Sequence, residues 1–363
     1  MEGTGRVANM LEPGRLRLET YPLPEPGPGA VVAEVARANV CGSELHIWRG
    51  HHPTKRRGVL GHEMVLRIAA LGDGVTADFA GEPVAPGDRV VAAYFLTCRR
   101  CGPCRRGQFH LCENAYRYWS LDPEVAPHFH GSFATHYYLH PDQYFYKVPD
   151  DLPDELVAGA NCALSQVYYG LDEAGLSAGE TLVVQGAGGL GLYAVAVAKE
   201  RGARVVVLDQ AERRLAEARA FGADAVVDLR AAPTAADRAE AVRAVTGGEG
   251  ADVGLEVAGV PEAFAEGIQL VRPGGRYVEI GNISPGLTVP FDPGLLTRRS
   301  IRIIPVVRYQ PWYLKKALDF LRRTRERYPY ATLLDATFPL DRVEEALDRS
   351  ARREIVRASI VPA

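Results

Sequence analysis

Between Thr181 and Ile280 the chain repeats one pattern, a short apolar run followed by a segment of helical character. Strand-like runs fall at Thr181–Gln185, Arg204–Leu208, Ala225–Val227, Asp252–Glu256 and Arg276–Ile280, with helix-like segments such as Leu190–Arg201 and Ala211–Phe221 between them. Alternation at this spacing predicts a parallel sheet with right-handed crossovers, a doubly wound α/β unit. At its first strand-to-helix joint stands VVQGAGGLGL, Val183–Leu192, with Gly186, Gly188 and Gly191 in the Gly-x-Gly-x-x-Gly frame. Asp209 ends the next run, close to the ~20-residue spacing of an acidic residue that binds ribose hydroxyls. The glycines let the backbone approach a pyrophosphate, and the helix start at Gly188, Gly189 and Leu190 supplies N–H groups and a partial positive charge. Asp209 would repel a 2′-phosphate, which favours NAD over NADP; Arg213 and Arg214 keep NADP open.

The flanking thirds read differently. Runs at Ala30–Val35, Met64–Leu71, Asp88–Ala93 and Ser132–Leu139, punctuated by Gly and Pro, predict a β-barrel or sandwich. Ser300–Pro305 is a last strand candidate, followed by an amphipathic helix around Tyr313–Arg323, and strand signals resume after Thr332. Two domains are therefore expected: 1–155 together with 306–363, and 156–305. A chain of 363 residues with 47% apolar content can bury both cores. The formal net charge of −3 gives no bulk reason to expect nucleic acid or an anionic membrane, so a small molecule is the expected partner. The first twenty residues lack the apolar core of a signal peptide, which points to the cytoplasm. The uncharged run Thr181–Ala198 approaches the length of a membrane span, yet its glycines and Gln185 suit a strand, a turn and a buried helix better. The segment Arg230–Val245, with charges every few residues, reads as a solvated helix.

Four of the six cysteines crowd into CRRCGPCRRGQFHLC, at Cys98, Cys101, Cys104 and Cys112. This spacing lets one loop wrap four thiolates around a tetrahedral zinc ion, with Arg99, Arg100, Arg105 and Arg106 favouring ionised thiols. A disulfide is disfavoured in a reducing compartment, and an iron–sulfur cluster or a thiol switch remains as an alternative. With all four positions taken by protein, such a site is structural.

The other two cysteines stand in CGSELH, Cys41–His46, and NCALSQ, around Cys162; GHE occupies Gly61–Glu63. Cys41, then Gly-His-Glu, then the four-cysteine lobe, then Cys162 ahead of the glycine motif: this order resembles the zinc-dependent medium-chain dehydrogenases, the family of alcohol, sorbitol and threonine dehydrogenases. The resemblance covers nearly the whole chain. It implies a GroES-like catalytic domain joined to a Rossmann domain, a catalytic zinc on Cys41, His62 and Cys162, and Glu63 as a neighbouring or transient ligand. It further implies a proton path through Ser43 and His46, Arg214 along the adenosine ribose, Val257 and Ile280 near the nicotinamide, and Arg357 at the pyrophosphate. The expected reaction is hydride transfer between an alcohol and NAD, with two zinc ions per chain. One departure is Leu66, where the family carries glycine three residues after the Glu. His51, His52, His110, His128, His130, His136 and His140 match no role in the family.

Trp48, Tyr94 and Trp119, with Phe95, are candidates for a substrate pocket; aromatic walls suit a secondary, apolar or cyclic alcohol. Nucleotide sheets of the family commonly pair edge to edge, so a homodimer or homotetramer through Ser300–Pro305 is expected. A zinc-free enoyl or quinone reductase and a non-catalytic zinc and nucleotide binder are the competing readings.

Overall fold

The computed structural model describes residues 1–51, 57–352, 354–355 and 357–362; His52 lies outside them. The chain divides into two units. The first comprises Met1–Ser165, Gln310–Glu326 and Tyr330–Ala363, and the second Gln166–Tyr309 with Arg327–Pro329. Both breaks fall later in the chain than the composition suggested.

The first unit is built around the strand Val31–Asn39. It pairs antiparallel with Glu63–Leu71, with His136–Leu139 and with Ala358–Ile360. Arg89–Ala92 and Phe145–Lys147 extend the sheet beyond Glu63–Leu71, and Ala336–Phe338 runs parallel to Ala358–Ile360 at the other end. Alternate residues of these strands, among them Val31, Ala33, Val35, Met64, Leu66 and Ile68, feed one apolar core. Leu66 is fully buried there, opposite Val35 and Val90, so the residue that departs from the family's glycine is absorbed by packing. The N-terminal hairpin, Thr4–Glu12 with Arg15–Pro22, escaped the sequence reading. Its second strand is exposed or half-buried along its length and carries no continuous apolar run.

The second unit holds a parallel sheet in the order Ala225–Asp228, Arg204–Asp209, Thr181–Gln185, Ala251–Glu256, Val271–Glu279, Arg302–Pro305. The uncharged run at Thr181 resolves into a fully buried strand, Thr181–Gln185, and the helix Gly189–Glu200. Among the described residues no helix is long and apolar enough to cross a membrane. The helix expected from Arg230 begins at Ala235, because Thr234 Oγ1 accepts from the Asp237 N–H at 3.1 Å while Asp237 accepts from the Thr234 N–H.

Candidate metal centre and dinucleotide site

Three segments of the first unit deliver side chains to one point. Cys41 immediately precedes the helix Gly42–Trp48, and Glu44 in its first turn folds back to accept from the Cys41 N–H at 2.7 Å. His62 directly precedes the strand that begins at Glu63. Cys162 lies in a widened helical turn, Ala160–Leu164, where the Leu164 N–H reaches the Gly159 carbonyl five residues back. Asn161 ties that turn down, donating from Nδ2 to the carbonyls of His62 and Ala92, each at 2.8 Å.

As a result, one ligand atom each from Cys41, His62, Glu63 and Cys162 lies within 4.8 Å of the others. His62 Nε2 stands 3.3 Å from Cys162 Sγ, and the two sulfurs are 4.0 Å apart. The Nδ1 of His62 is hydrogen bonded to Glu44, which leaves Nε2 turned to the sulfurs. Burial opposes a charge on His62, but Glu44 outweighs it and holds the imidazole well above its ordinary pKa. The adjacent Cys162 sulfur, with His62, draws Cys41 well below the usual thiol range, while Cys162 is driven up as the partner that keeps its proton.

Glu63 is fully buried, and burial pushes its carboxyl up to about 8 despite the ion pair of Oε1 with Arg357. Its other oxygen, Oε2, is buried with no hydrogen-bond partner among the described residues. An unpartnered buried carboxyl oxygen beside two sulfurs and an imidazole nitrogen turned towards them is what a divalent cation would satisfy, and the donor set suits zinc.

The second cluster, Cys98, Cys101, Cys104 and Cys112, also has its sulfurs within 4.8 Å of one another. Burial raises the Cys98 thiol, but the backbone N–H groups of Arg100 and Cys101 and the Asn114 side chain bring it down to about 6. Asn114 Nδ2 donates to Cys98 Sγ at 3.3 Å. At Cys98 it is therefore amides that favour the thiolate, while burial raises Cys104 and Cys112. The Arg99 guanidinium lies instead over the rings of Phe79 and Tyr144, 5.3 and 5.5 Å from their centroids.

In the second unit Gly186 has φ +104°, and a Cβ on Gly191 would lie 2.0 Å from the Gly186 carbonyl oxygen, so neither tolerates a side chain. Gly188, at the helix start, has an ordinary φ of −75° and nothing within 4 Å of a would-be Cβ. Packing does not demand that glycine; a ligand lying against the backbone would. Asp209 is 6% exposed, and its carboxylate accepts from the N–H of Ala187 at 2.8 Å and of Ala211 at 2.9 Å, with Arg214 3.8 Å away. Val257 and Ile280 follow the neighbouring strand ends, their N–H groups bonded to the Gln185 and Glu256 carbonyls.

Three side chains stand elsewhere than expected. Trp48, taken as pocket lining, is 4% exposed in the core of the first unit, with its indole N–H on Asp348 Oδ1 at 2.8 Å, because its helix turns that face inward. Arg357, expected at a pyrophosphate, is buried with its guanidinium on Glu63. Phe95 is 1% exposed and belongs to the interior. Tyr94, by contrast, stands edge-on to the His62 ring with centroids 5.2 Å apart, and Trp119 is half-buried against the core. Ser43 and His46 are half-buried on the Cys41 helix, and His46 Nδ1 is buried without a partner among the described residues. Glu44, Asn161 and Asn114 were missed; only Glu44 left a local trace, three residues after Cys41 and in reach of its N–H.

A protein with a sulfur-rich metal centre in one unit and a dinucleotide-type glycine turn in the other is a metal-dependent oxidoreductase by class. Comparison with known proteins agrees. The model of the alcohol dehydrogenase GroES-like domain matches residues 27–150, and that of the zinc-binding dehydrogenases matches 189–323. The chain is 35% identical over 346 residues to 5-exo-hydroxycamphor dehydrogenase of Pseudomonas putida, covering 94% of each. It is 32% identical to L-threonine 3-dehydrogenase of Pyrococcus horikoshii over 80% of each. Among solved structures, an alcohol dehydrogenase from Thermotoga maritima superposes with a TM-score of 0.92 at 28% identity, over 99% of this chain and 100% of that one. The chain belongs to the zinc-dependent medium-chain dehydrogenase family and is an alcohol/ketone oxidoreductase that uses zinc and a nicotinamide cofactor.

Proposed function

We propose that this protein transfers hydride between a secondary alcohol of apolar or cyclic skeleton and NAD. Cys41, His62 and Cys162 hold one zinc ion, with Glu63 in reach as a further ligand, and the four cysteines of the lobe hold a second. The observation that carries this reading is the convergence of those first four groups within 4.8 Å around the unpartnered Glu63 Oε2. Zinc, when bound, supplies a Lewis acid that makes an alcohol acidic near neutral pH.

The chain's own residues do the rest. Glu44 accepts the Nδ1 proton of His62 and so keeps Nε2 free for metal. Arg357 occupies Oε1 of Glu63, which leaves only Oε2 to turn inward. Ser43 takes the proton released by the alcohol and passes it to His46. Burial, with His51 and Arg49 nearby, lowers the His46 pKa, so the imidazole is neutral and able to accept. Tyr94, against His62, and Trp119 favour an apolar skeleton over a small charged one.

Asp209 supports NAD over NADP, since a 2′-phosphate would meet a buried carboxylate already engaged by backbone N–H groups. The strand Arg302–Pro305 ends its sheet among the described residues and supports a homodimer or homotetramer by edge pairing. A panel of alcohols with NAD, followed by absorbance of the reduced nicotinamide, tests the reading. Turnover of secondary alcohols, with Asp209→Gly relaxing the NAD preference, is expected. No turnover of any alcohol or ketone by zinc-loaded protein would refute it.

A further inference from the structure

Beside Tyr94, within the first unit, lies a cavity of about 10 Å³, room for one water-sized group. Its walls combine Tyr94, Leu96 and Trp119 with polar residues that include His130, Tyr137, His140 and Gln143. Gln143 is 2% exposed, and its amide is held in one orientation. Nε2 donates to the Ala93 carbonyl at 2.8 Å and to the Tyr137 hydroxyl oxygen at 3.0 Å. Gln143 Oε1 is thereby left buried without a hydrogen-bond partner among the described residues.

His140 Nε2 is in the same condition, its ring stacked on Tyr118 with centroids 3.5 Å apart. Burial, with His130 nearby, pushes the His140 pKa down to about 3, so the ring is neutral and Nε2 accepts or donates according to tautomer. Burial pushes Tyr137 up to about 12; having accepted from Gln143, its hydroxyl keeps a proton to give. Folded proteins rarely leave buried acceptors unanswered, because the desolvation of each then goes uncompensated. An amide oxygen, an imidazole nitrogen and a phenol hydrogen around so small a space are the complement of one hydroxyl group. Tyr94 is shared with the metal centre, where its ring meets that of His62.

We propose that this cavity is a hydroxyl-recognition subsite, and that the substrate is an alcohol carrying a second hydroxyl on its apolar or cyclic skeleton. The proposal rests on the dehydrogenase reading above and sharpens its substrate class. The second hydroxyl donates to Gln143 Oε1 and bonds with His140, replacing a water that occupies the same place otherwise. An analogue without that hydroxyl leaves the acceptors dry and unpaired, which a polar site discriminates against strongly.

The test compares cyclohexanol with the cyclohexanediols as substrates of the zinc-loaded enzyme with NAD. In the unmodified protein at least one diol is expected to exceed cyclohexanol in kcat/KM by about tenfold or more. His140→Phe keeps the stack on Tyr118 and removes the nitrogen; Gln143→Met keeps the volume and removes the amide. Each is expected to bring the diol-to-cyclohexanol ratio to within about twofold of unity, and half-buried His140 serves if the Gln143 variant does not fold. Equal use of diols and cyclohexanol, or variants that lower both by one factor, would mean a water-only site and overturn the proposal while leaving the dehydrogenase reading intact. Failure to turn over any of these alcohols would overturn the proposal, and only inactivity toward every alcohol and ketone with both metal sites filled would overturn the dehydrogenase reading as well.

Discussion

Cys41→Ala removes one of the two sulfurs facing His62 Nε2 without touching the second unit. Zinc content is expected to fall from two ions per chain to one and hydride transfer to fall to background, while NAD binding persists; elemental analysis with a binding titration checks this. Glu44→Gln is a finer probe. It keeps the size of the side chain but not the charge held against His62 Nδ1, and a loss of about 10- to 100-fold in zinc affinity or activity is expected. The four converging groups were legible in the sequence only through the order in which Cys41, Gly-His-Glu, the four-cysteine lobe and Cys162 follow one another, the order that resembles the family. What holds them was not. Arg357 meets Glu63 across 294 positions and Asn161 meets the His62 carbonyl across 99, separations at which no local pattern survives. Trp48 misled because an aromatic next to a functional helix segment looks the same in sequence whether it faces a cavity or, as here, Asp348 and the core.

Elements set what those residues can do. The first glycine turn admits no side chain at Gly191, where a Cβ would lie 2.0 Å from a carbonyl oxygen. Gly191→Ala is therefore expected to displace the start of the helix Gly189–Glu200 and abolish dinucleotide binding, with zinc content unchanged. At the ends of two neighbouring strands, Glu256 and Glu279 lie side by side, and Asn282 Nδ2 donates to both, at 3.2 and 2.9 Å. Burial, and then Glu279, push Glu256 up to about 8 from an ordinary 4.5. Because the folded pKa is raised, the folded protein binds more protons than the unfolded chain between those values, and stability falls as pH rises through that window. The loss between pH 6 and 8 is about 2 kcal/mol for such a group. Glu279→Gln is expected to flatten it, read as a smaller drop in Tm over that range; an unchanged drop would contradict the pairing. Strong elements were legible where both faces are buried, as in Thr181–Gln185, whereas the N-terminal hairpin and the start of the Thr234-capped helix depend on pairing and capping that composition does not display.

On the scale of the whole molecule, each unit carries one half of the chemistry on its own frame. The largely antiparallel sheet around Val31–Asn39 gathers Cys41, His62, Glu63 and Cys162 from three segments, and the parallel sheet presents the glycine turn at the end of Thr181–Gln185. The alternation of the middle third and the order of the six cysteines were enough to expect both frames. The C-terminal return to the first unit was visible only as short strand signals, since Ala358–Ile360 gains its meaning by pairing with Val31–Asn39. The central claim, that a metal ion stands where those two sulfurs, the imidazole and the Glu63 oxygen converge, is open to direct observation. Anomalous scattering from a crystal of the protein, collected at the zinc edge, should give two peaks per chain, one among Cys41, His62 and Cys162 and one among Cys98, Cys101, Cys104 and Cys112. A peak in the four-cysteine lobe alone, from protein that still oxidises an alcohol, would contradict the account.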